Sequence, residues 1–211
     1  MIARTADGAA PDLVVWPETS GPYLLNQISD DMRVLSDAAR GAPLVFGIQR
    51  VDTERRAYNA LVVLDAQGRV SDLYDKRHLV PFGEYIPGAA HLGRLGATGL
   101  ADNLGTGFTP GSGSSIVTLP GIGPALALIC YEGIFAEEIR YDTRPRLLLL
   151  ITNDAWFGRA AGPYQHLAHA RLRAIEHGLP MVRVANTGVS AVFDGKGRMT
   201  ASLPLNVDGA L

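Results

Sequence analysis

The chain has 211 residues, and its 19 Lys plus Arg and 21 Asp plus Glu give a formal net charge of −2. This length suits one domain with a sizeable core, and no basic run is present that could follow a phosphate backbone, so nucleic acid is excluded as an expected partner. The single cysteine rules out an internal disulfide and leaves the redox compartment open.

Neither a membrane span nor a leader peptide is evident. A bilayer-spanning helix needs about 20 consecutive apolar residues, whereas the longest apolar run, Ala125 to Tyr131, has seven. The start of the chain, MIARTADGAAPD, lacks the charged region and apolar core of a signal peptide. We expect it to be a solvated lead-in, or the cut edge of something longer.

Short runs of Val, Leu and Ile alternate with segments of helical pattern, which predicts an α/β sandwich. Several runs are apolar at successive positions, as in strands that are covered on both faces. The predicted strands are Leu13 to Trp16, Leu44 to Gln49, Asn59 to Leu64, Ala125 to Ile129, Leu147 to Thr152, Met181 to Ala185 and Ser190 to Phe193.

Two helices and two hairpins complete the predicted elements. One helix covers Asn26 to Arg40, and the other covers Tyr164 to His177, with Pro163 at its start and Gly178 at its end. The apolar stripe of the second helix consists of Ala168, Leu172, Ile175 and Leu179. The sequences LDAQGRV at 64–70 and FDGKGRM at 193–199 each place Asp and Gly between apolar runs, which indicates hairpins.

The segment 85–115 is rich in glycine, and a loop of this length in a compact domain is usually functional or disordered. Its apolar residues argue against a merely solvated linker. These apolar residues are Ile86, Leu92, Leu95, Leu100, Leu104 and Phe108.

Three reactive side chains follow predicted extended segments: Glu18, Lys76 and Cys130. Because ligands of open α/β sheets bind beyond the carboxyl ends of strands, these residues are expected to converge. A thiolate attacks a carbonyl or nitrile carbon, a carboxylate accepts the thiol proton, and a cation stabilises the oxyanion. The predicted roles are therefore nucleophile for Cys130, general base for Glu18 and electrostatic stabiliser for Lys76.

Each residue also has a simpler interpretation when it is considered alone. A cysteine after an apolar strand is more often a small buried hydrophobe. Glu18 suits a helix N-terminus, Lys76 suits the surface, and Glu132 suits the first turn of a helix. Of Asn153, Asp154, Trp156 and Phe157, which are expected to line the same pocket wall, Trp156 also suits the core.

Considered together, the local sequences resemble the carbon–nitrogen hydrolase (nitrilase) superfamily, and within it the apolipoprotein N-acyltransferases. The motifs that carry the resemblance are VVWPET at 14–19, YDKRHLVPFGEYIP at 74–87, ICYEGIF at 129–135, NDAWFG at 153–158 and ANTGVSA at 185–191. The resemblance covers nearly the whole chain and implies an αββα sandwich. Glu18, Lys76 and Cys130 match the family's triad, and the positions that match its other functional residues are Glu84, Tyr131 and Glu132.

The resemblance also implies an activity and a location. Cys130 would receive an acyl chain from a phospholipid as a thioester, and the N-terminal amine of a diacylglyceryl-cysteine apolipoprotein would then accept it. The location would be the bacterial inner membrane, with this domain on the periplasmic side. The family's transmembrane helices are absent from the chain, so we expect a partial hydrolase domain over residues 1–211, truncated at both ends.

Two other functions stay open at this stage. A soluble amidase or nitrilase would use the same three residues with water as the second nucleophile. A non-catalytic binding domain would keep the sandwich as an interaction surface. The sequence indicates no cofactor, because it has no glycine-rich phosphate loop, and His166 and His169 suit a solvated helix face better than a metal site.

Overall fold

Ten strands form the centre of the molecule, which the computed structural model describes over residues 1–6, 9–28, 31–88 and 107–211. They build one sheet in the order β1-β2-β3-β4 and a second in the order β10-β9-β8-β7-β6-β5. The strands are β1 (Val14–Val15), β2 (Leu44–Val51), β3 (Ala57–Leu64), β4 (Val70–Asp75), β5 (Ile116–Leu119), β6 (Gly123–Ile129), β7 (Leu147–Asn153), β8 (Met181–Asn186), β9 (Ser190–Phe193) and β10 (Met199–Leu203).

Strand direction brings several carboxyl ends to one edge of the sandwich. In the first sheet β1 is parallel to β2, and the antiparallel pairs β2–β3 and β3–β4 make β4 run the same way. In the second sheet β6, β7 and β8 are mutually parallel. The segments after β1, β4, β6 and β7 carry all the residues that are predicted to react.

The sheets pack face to face because their strands are apolar on both sides. Val45, Leu61 and Ile129 belong to the core between the sheets. Their sequence neighbours point outward, following the two-residue period of a strand. Leu44 and Phe46 pack beneath the helical segments on the first sheet, and the outward residues of β6 and β7 pack beneath a helix on the second. These four layers match the predicted αββα sandwich.

Within the described ranges there are three α-helices. They are α1 (Ile2–Ala6), α2 (Asp31–Ala38) and α3 (Gly162–His177). The predicted helix at 26–40 is a 3₁₀ turn at Leu25–Gln27 followed by α2, with residues 29 and 30 outside the described ranges. Pro163 and Gly178 bound α3 as predicted, and Gly178 adopts the left-handed conformation, with φ of 58°. No helix within the described ranges is long and apolar enough to cross a bilayer.

The buried face of α3 is the clearest error of the helical prediction. Ala168, Leu172 and Ile175 of the apolar stripe are exposed, and only Leu179, which follows the helix, is buried. The buried face instead combines small and polar residues: Pro163, His166, Ala170, Arg173 and Ala174. Two of them contact the turn after β6, where His166 meets the Cys130 carbonyl and Arg173 donates to the Ile134 carbonyl. The buried face of α3 therefore combines alanines that pack on the second sheet with polar residues that contact the turn after β6.

Other differences are local. Both hairpins are present, with Asp65 and Asp194 each capping its own turn through backbone and arginine hydrogen bonds. β5 and β10 are strands that the sequence did not predict, since each is short and lies at a sheet edge. The lead-in contains α1, whose Thr5 hydroxyl accepts a 2.9 Å hydrogen bond from the Trp16 indole.

Candidate active site

Cys130 occupies a sharp turn at the end of β6. Its φ is +51°, a left-handed conformation that costs a non-glycine residue about 1–2 kcal/mol, and the 3₁₀ helix Cys130–Ile134 begins here. The thiol is buried among residues of both sheets. Burial, together with the negative charge of Glu18, raises the pKa of Cys130 to about 12 although Lys76 opposes the shift. The free thiol is therefore protonated at neutral pH and needs a base.

Glu18 lies where the segment after β1 crosses the first sheet. A Cβ on Gly47 of β2 would lie 2.5 Å from the Glu18 Cα, so only glycine allows this close crossing. The Gly47 carbonyl accepts from the Ser20 and Gly21 amides at 2.9 and 3.1 Å, which fixes the segment. The Glu18 carboxylate is buried, and burial raises its pKa although Lys76 acts in the opposite direction. A carboxylate with a raised pKa is a stronger proton acceptor.

Lys76 follows β4, and its side chain is only 1% exposed. Its Nζ lies 2.9 Å from Glu84 and 3.8 Å from Glu18. Burial alone would lower the pKa of Lys76, but the charges of Glu18, Cys130 and Glu84 together raise it. The ammonium therefore stays charged, and the interpretation of Lys76 as a surface residue is wrong.

Asn59 connects the two carboxylates, and sequence reasoning missed it. Its amide nitrogen donates to Glu18 at 2.7 Å and to Glu84 at 3.0 Å. Val80 supports the second carboxylate with a 2.8 Å backbone hydrogen bond. Glu18, Asn59, Lys76 and Glu84 form what we call the carboxylate–lysine cluster. The only sequence signal for Asn59 is a polar residue at the start of an otherwise apolar run.

Glu132 holds the Cys130 turn against the first sheet. One of its oxygens accepts from the Tyr74 hydroxyl at 2.6 Å and from the Arg77 and His78 amides at 2.8 and 3.1 Å. The other accepts from the Ile129 amide at 2.8 Å. Glu132 therefore links the exit of β4 to the turn that carries the thiol. Glu132 also occupies the first turn of a 3₁₀ helix, which agrees with its simpler interpretation as a first-turn carboxylate.

The Tyr131 ring points toward an aromatic group instead of the carboxylate–lysine cluster. Its centroid lies 4.8 Å from that of Phe135 and 5.4 Å from that of His78. His78 stacks on Phe135 and contacts Glu138 at 3.0 Å. Tyr131, which matches a functional position of the family, therefore packs beside the Cys130 turn in this structure.

A second group of buried polar side chains lies on the α3 side of Cys130, and we call Asp154, His166 and Arg183 the Asp154 cluster. Arg183 donates to one Asp154 oxygen at 2.7 Å, while His166 and the Thr152 hydroxyl contact the other at 2.9 and 3.1 Å. Burial alone would raise the pKa of Asp154, but the His166 hydrogen bond and the Arg183 charge hold it below its usual range. His166 is buried, so its predicted place on a solvated helix face is wrong.

The other residues of the expected pocket wall have separate positions. The Asn153 amide donates to Glu18 at 2.8 Å, which joins the two sheets at the site. Trp156 is 81% exposed, so the core interpretation of this residue is wrong, and Phe157 is also exposed. Glu18 begins no helix, since the 3₁₀ turn Leu25–Gln27 is the next helical element in the described part of the chain.

An open cleft of about 480 Å³ adjoins the exit of β4. The Gly111 amide donates to the Lys76 carbonyl at 2.8 Å and brings the end of the 85–115 segment to this position. Leu92, Leu95, Leu100 and Leu104 lie outside the described residues. Phe108 and others line the cleft: Arg77, His78, Leu79, Tyr85, Pro110, Gly111 and Glu138.

The predicted convergence is correct, although the residues come from two sheets instead of one open sheet. Glu18 and Lys76 belong to the first sheet, and Cys130 belongs to the second. A buried thiol whose pKa responds to the charges of a nearby carboxylate and ammonium is suited to acyl transfer through a covalent intermediate. Among the described residues, no group of three His, Cys, Asp or Glu side chains could hold a metal ion.

Known proteins are similar to this chain over nearly its whole length. The chain is 43% identical over 215 residues to the apolipoprotein N-acyltransferase of Allorhizobium ampelinum, which covers 99% of the chain and 40% of the relative. It is 45% identical over 213 residues to that of Sinorhizobium fredii, which covers 97% of the chain and 40% of the relative. The chain therefore spans about 40% of the length of these curated relatives.

Solved structures share the fold at lower identity. A carbon–nitrogen hydrolase from Helicobacter pylori superposes with a TM-score of 0.71 at 17% identity, over 93% of this chain and 75% of that chain. An amidase from Nesterenkonia sp. AN1, with the acetamide moiety of fluoroacetamide added at its active site cysteine, gives 0.68 at 19% identity, over 97% and 77% of the two chains. The carbon–nitrogen hydrolase family model matches residues 1–211, and the chain belongs to that family.

Proposed function

We propose that residues 1–211 form part of the carbon–nitrogen hydrolase domain of an apolipoprotein N-acyltransferase, with Glu18, Lys76 and Cys130 as its catalytic residues. The main observation in support of this chemistry is that the Cys130 thiol is buried and that the charges of Glu18 and Lys76 both act on its pKa. The choice of acyl transfer over hydrolysis is supported by relatives of that name at 43 and 45% identity over nearly the whole chain. The corresponding location is the bacterial inner membrane, with the domain on its periplasmic side.

The first half-reaction acylates the enzyme. Glu18 accepts the Cys130 proton as the sulfur attacks the ester carbonyl of a phospholipid, and Lys76 stabilises the resulting oxyanion. When the intermediate collapses, the ester C–O bond breaks and the lysophospholipid oxygen takes the proton from Glu18. The acyl chain then remains on Cys130 as a thioester.

The second half-reaction transfers the acyl chain. The N-terminal amine of a diacylglyceryl-cysteine apolipoprotein attacks the thioester carbon and gives a proton to Glu18. The C–S bond then breaks, and the Cys130 sulfur recovers the proton. Glu84 orients Lys76 through its 2.9 Å contact, and Glu132 fixes the Cys130 turn, so both support the reaction without bonding to the acyl group.

The alternative function is an amidase, in which water attacks the covalent intermediate. The fold that the chain shares with the Nesterenkonia amidase favours this candidate, but at 19% identity the likeness extends to the fold alone. The two candidates differ in the second nucleophile and therefore in their products.

A product assay with the complete enzyme, of which we propose this chain to be a part, separates the two functions. The enzyme is incubated with phospholipid vesicles and a diacylglyceryl-cysteine lipopeptide, and the lipopeptide is weighed by mass spectrometry. We expect one added acyl mass, and none with Cys130→Ala. An unchanged lipopeptide, together with Cys130-dependent hydrolysis of a small amide such as propionamide, would establish the amidase instead.

A further inference from the structure

The carbonyl of Cys130 contacts a residue that the proposed half-reactions do not use. The His166 Nε2 lies 3.2 Å from this oxygen, and both residues are buried. Because a carbonyl oxygen only accepts hydrogen bonds, His166 must donate its Nε2 hydrogen. The left-handed turn is therefore held from the α3 side by one imidazole.

The Asp154 cluster holds this imidazole in place. The His166 Nδ1 lies 2.9 Å from Asp154 and 3.2 Å from Arg183, which itself donates to Asp154 at 2.7 Å. Arg183 also donates to the carbonyl of Val189 in the following loop. Burying an Asp–Arg ion pair costs several kcal/mol per ion, so this pair is not explained by a gain in stability. A role in positioning the imidazole would explain it.

The geometry of the peptide bond relates this contact to the reacting side. In a planar trans peptide, the carbonyl of Cys130 and the N–H of Tyr131 point in opposite directions. The carbonyl faces His166 on α3, outside the second sheet, whereas Glu18 and Lys76 approach from the first sheet. Fixing the carbonyl toward His166 therefore aims the Tyr131 N–H toward the side where an oxyanion would form.

We propose that His166 is a positioning residue, which holds the Cys130–Tyr131 peptide so that its N–H faces the acylation oxyanion while Asp154 and Arg183 fix the imidazole. This inference rests on the proposed role of Cys130 as nucleophile. His166 touches neither substrate nor thiol in this scheme. Its loss should therefore slow only the step in which an oxyanion develops.

Two substitutions separate the contacts of His166. In His166→Asn the amide nitrogen replaces Nδ1, so the bond to Asp154 is kept and the contact with Cys130 is lost. In His166→Gln the longer side chain brings its amide nitrogen to the position of Nε2, so the contact with Cys130 is kept. If His166 only provides a hydrogen-bonding partner for Asp154, His166→Gln should slow acylation more than His166→Asn. If His166 positions the Cys130 peptide, His166→Asn should slow acylation more.

Two reactions of the Cys130 sulfur provide the readout, measured in the complete enzyme. With 4-nitrophenyl butyrate the sulfur attacks the carbonyl through an oxyanion, 4-nitrophenolate leaves, and the thiol proton passes to Glu18. With iodoacetamide the sulfur displaces iodide from carbon and no oxyanion develops. The ratio of the acylation rate to the alkylation rate therefore reports oxyanion stabilisation. Both rates are measured below the unfolding transition of each variant, because an unfolded chain would also be alkylated.

We expect this ratio to fall about 100-fold in His166→Asn, similar to the loss of one oxyanion donor, and to stay near the wild-type value in His166→Gln. A ratio in His166→Asn equal to that of wild type would overturn the proposal, whatever the stability of the variant. An equal fall in both variants would also overturn it. If the wild type forms no acyl adduct while iodoacetamide still alkylates Cys130, the proposed function itself fails, which is a distinct result.

Discussion

The Cys130 turn lies between two buried polar clusters that differ in the number of partners of each carboxylate. The carboxylate–lysine cluster sets two carboxylates, Glu18 and Glu84, against one ammonium. In the Asp154 cluster, Arg183 pairs with one carboxylate oxygen while His166 and Thr152 contact the other. The pKa of Glu18 is raised by burial, whereas that of Asp154 is lowered by its partners. Two carboxylates that share one ammonium thus leave a base on one side of the thiol, and a carboxylate with contacts at both oxygens leaves a rigid support on the other.

Removing the cation should have the largest effect, because both carboxylates of the carboxylate–lysine cluster depend on it. We expect Lys76→Met to slow acylation about 10³-fold and to lower the free energy of unfolding by about 3–5 kcal/mol. Acylation by an activated ester and urea unfolding measure the two effects. The exposed Lys196, which is the other lysine of the chain, provides the matched control, and Lys196→Met should change neither. A variant at Lys76 that keeps its acylation rate would exclude an electrostatic role.

Glu18→Gln tests whether Glu18 is the general base that accepts the Cys130 proton. We expect acylation to fall by about 10²–10⁴-fold, the usual contribution of a positioned general base. Binding of phospholipid vesicles should persist, because the neutral side chain has the same shape. Acylation at the wild-type rate would remove Glu18 from the mechanism.

Asp154→Asn should mainly reduce stability, because it leaves Arg183 buried without its counter-charge. The expected loss is about 3–5 kcal/mol in urea unfolding. Because the folded-state pKa of Asp154 is lowered, the difference from wild type should be complete above the unfolded carboxyl pKa of about 3.9 and should shrink as the pH falls through the folded-state value. Asp208→Asn removes an exposed ion pair with Arg4 at 3.5 Å and should change stability little. Equal losses in the two variants would contradict the pairing of the Asp154 cluster.

The smallest expected effect is a shift of the pH profile of Cys130 alkylation to higher pH. Since burial and Glu18 raise the pKa of Cys130 to about 12, its alkylation rate in the native protein should still be climbing at pH 10. The unfolded chain should level off above its ordinary thiol pKa of about 8.5. A native profile that also levels off there would mean that burial does not suppress the thiolate.

The sequence predicted the strands and the convergence of the site because apolar runs and strand ends are local signals. All seven runs predicted from 13 to 193 became strands, and Glu18, Lys76 and Cys130 lie together although they are distant in the chain. The roles of these residues stay predictions. The family motifs added Glu84, whose contacts with Lys76 and Asn59 have no local signature.

The errors share one physical cause, which is that burial of a polar or amphipathic residue depends on tertiary partners. His166 is buried because Asp154 and the Cys130 carbonyl satisfy its ring, and no pattern on α3 indicates those partners. Trp156 was expected at the pocket wall or in the core, yet it lies in the 3₁₀ turn Asp154–Phe157 and faces solvent. Gly47 did carry a usable signal, since a glycine inside an apolar strand indicates close backbone approach.

The most direct measurement is intact mass spectrometry of the complete enzyme after incubation with phospholipid and no acceptor. We predict that the wild type gains one acyl mass, that Cys130→Ala gains none, and that a lipopeptide amine discharges the adduct. A wild-type protein that binds phospholipid and gains no mass would contradict a thioester on Cys130.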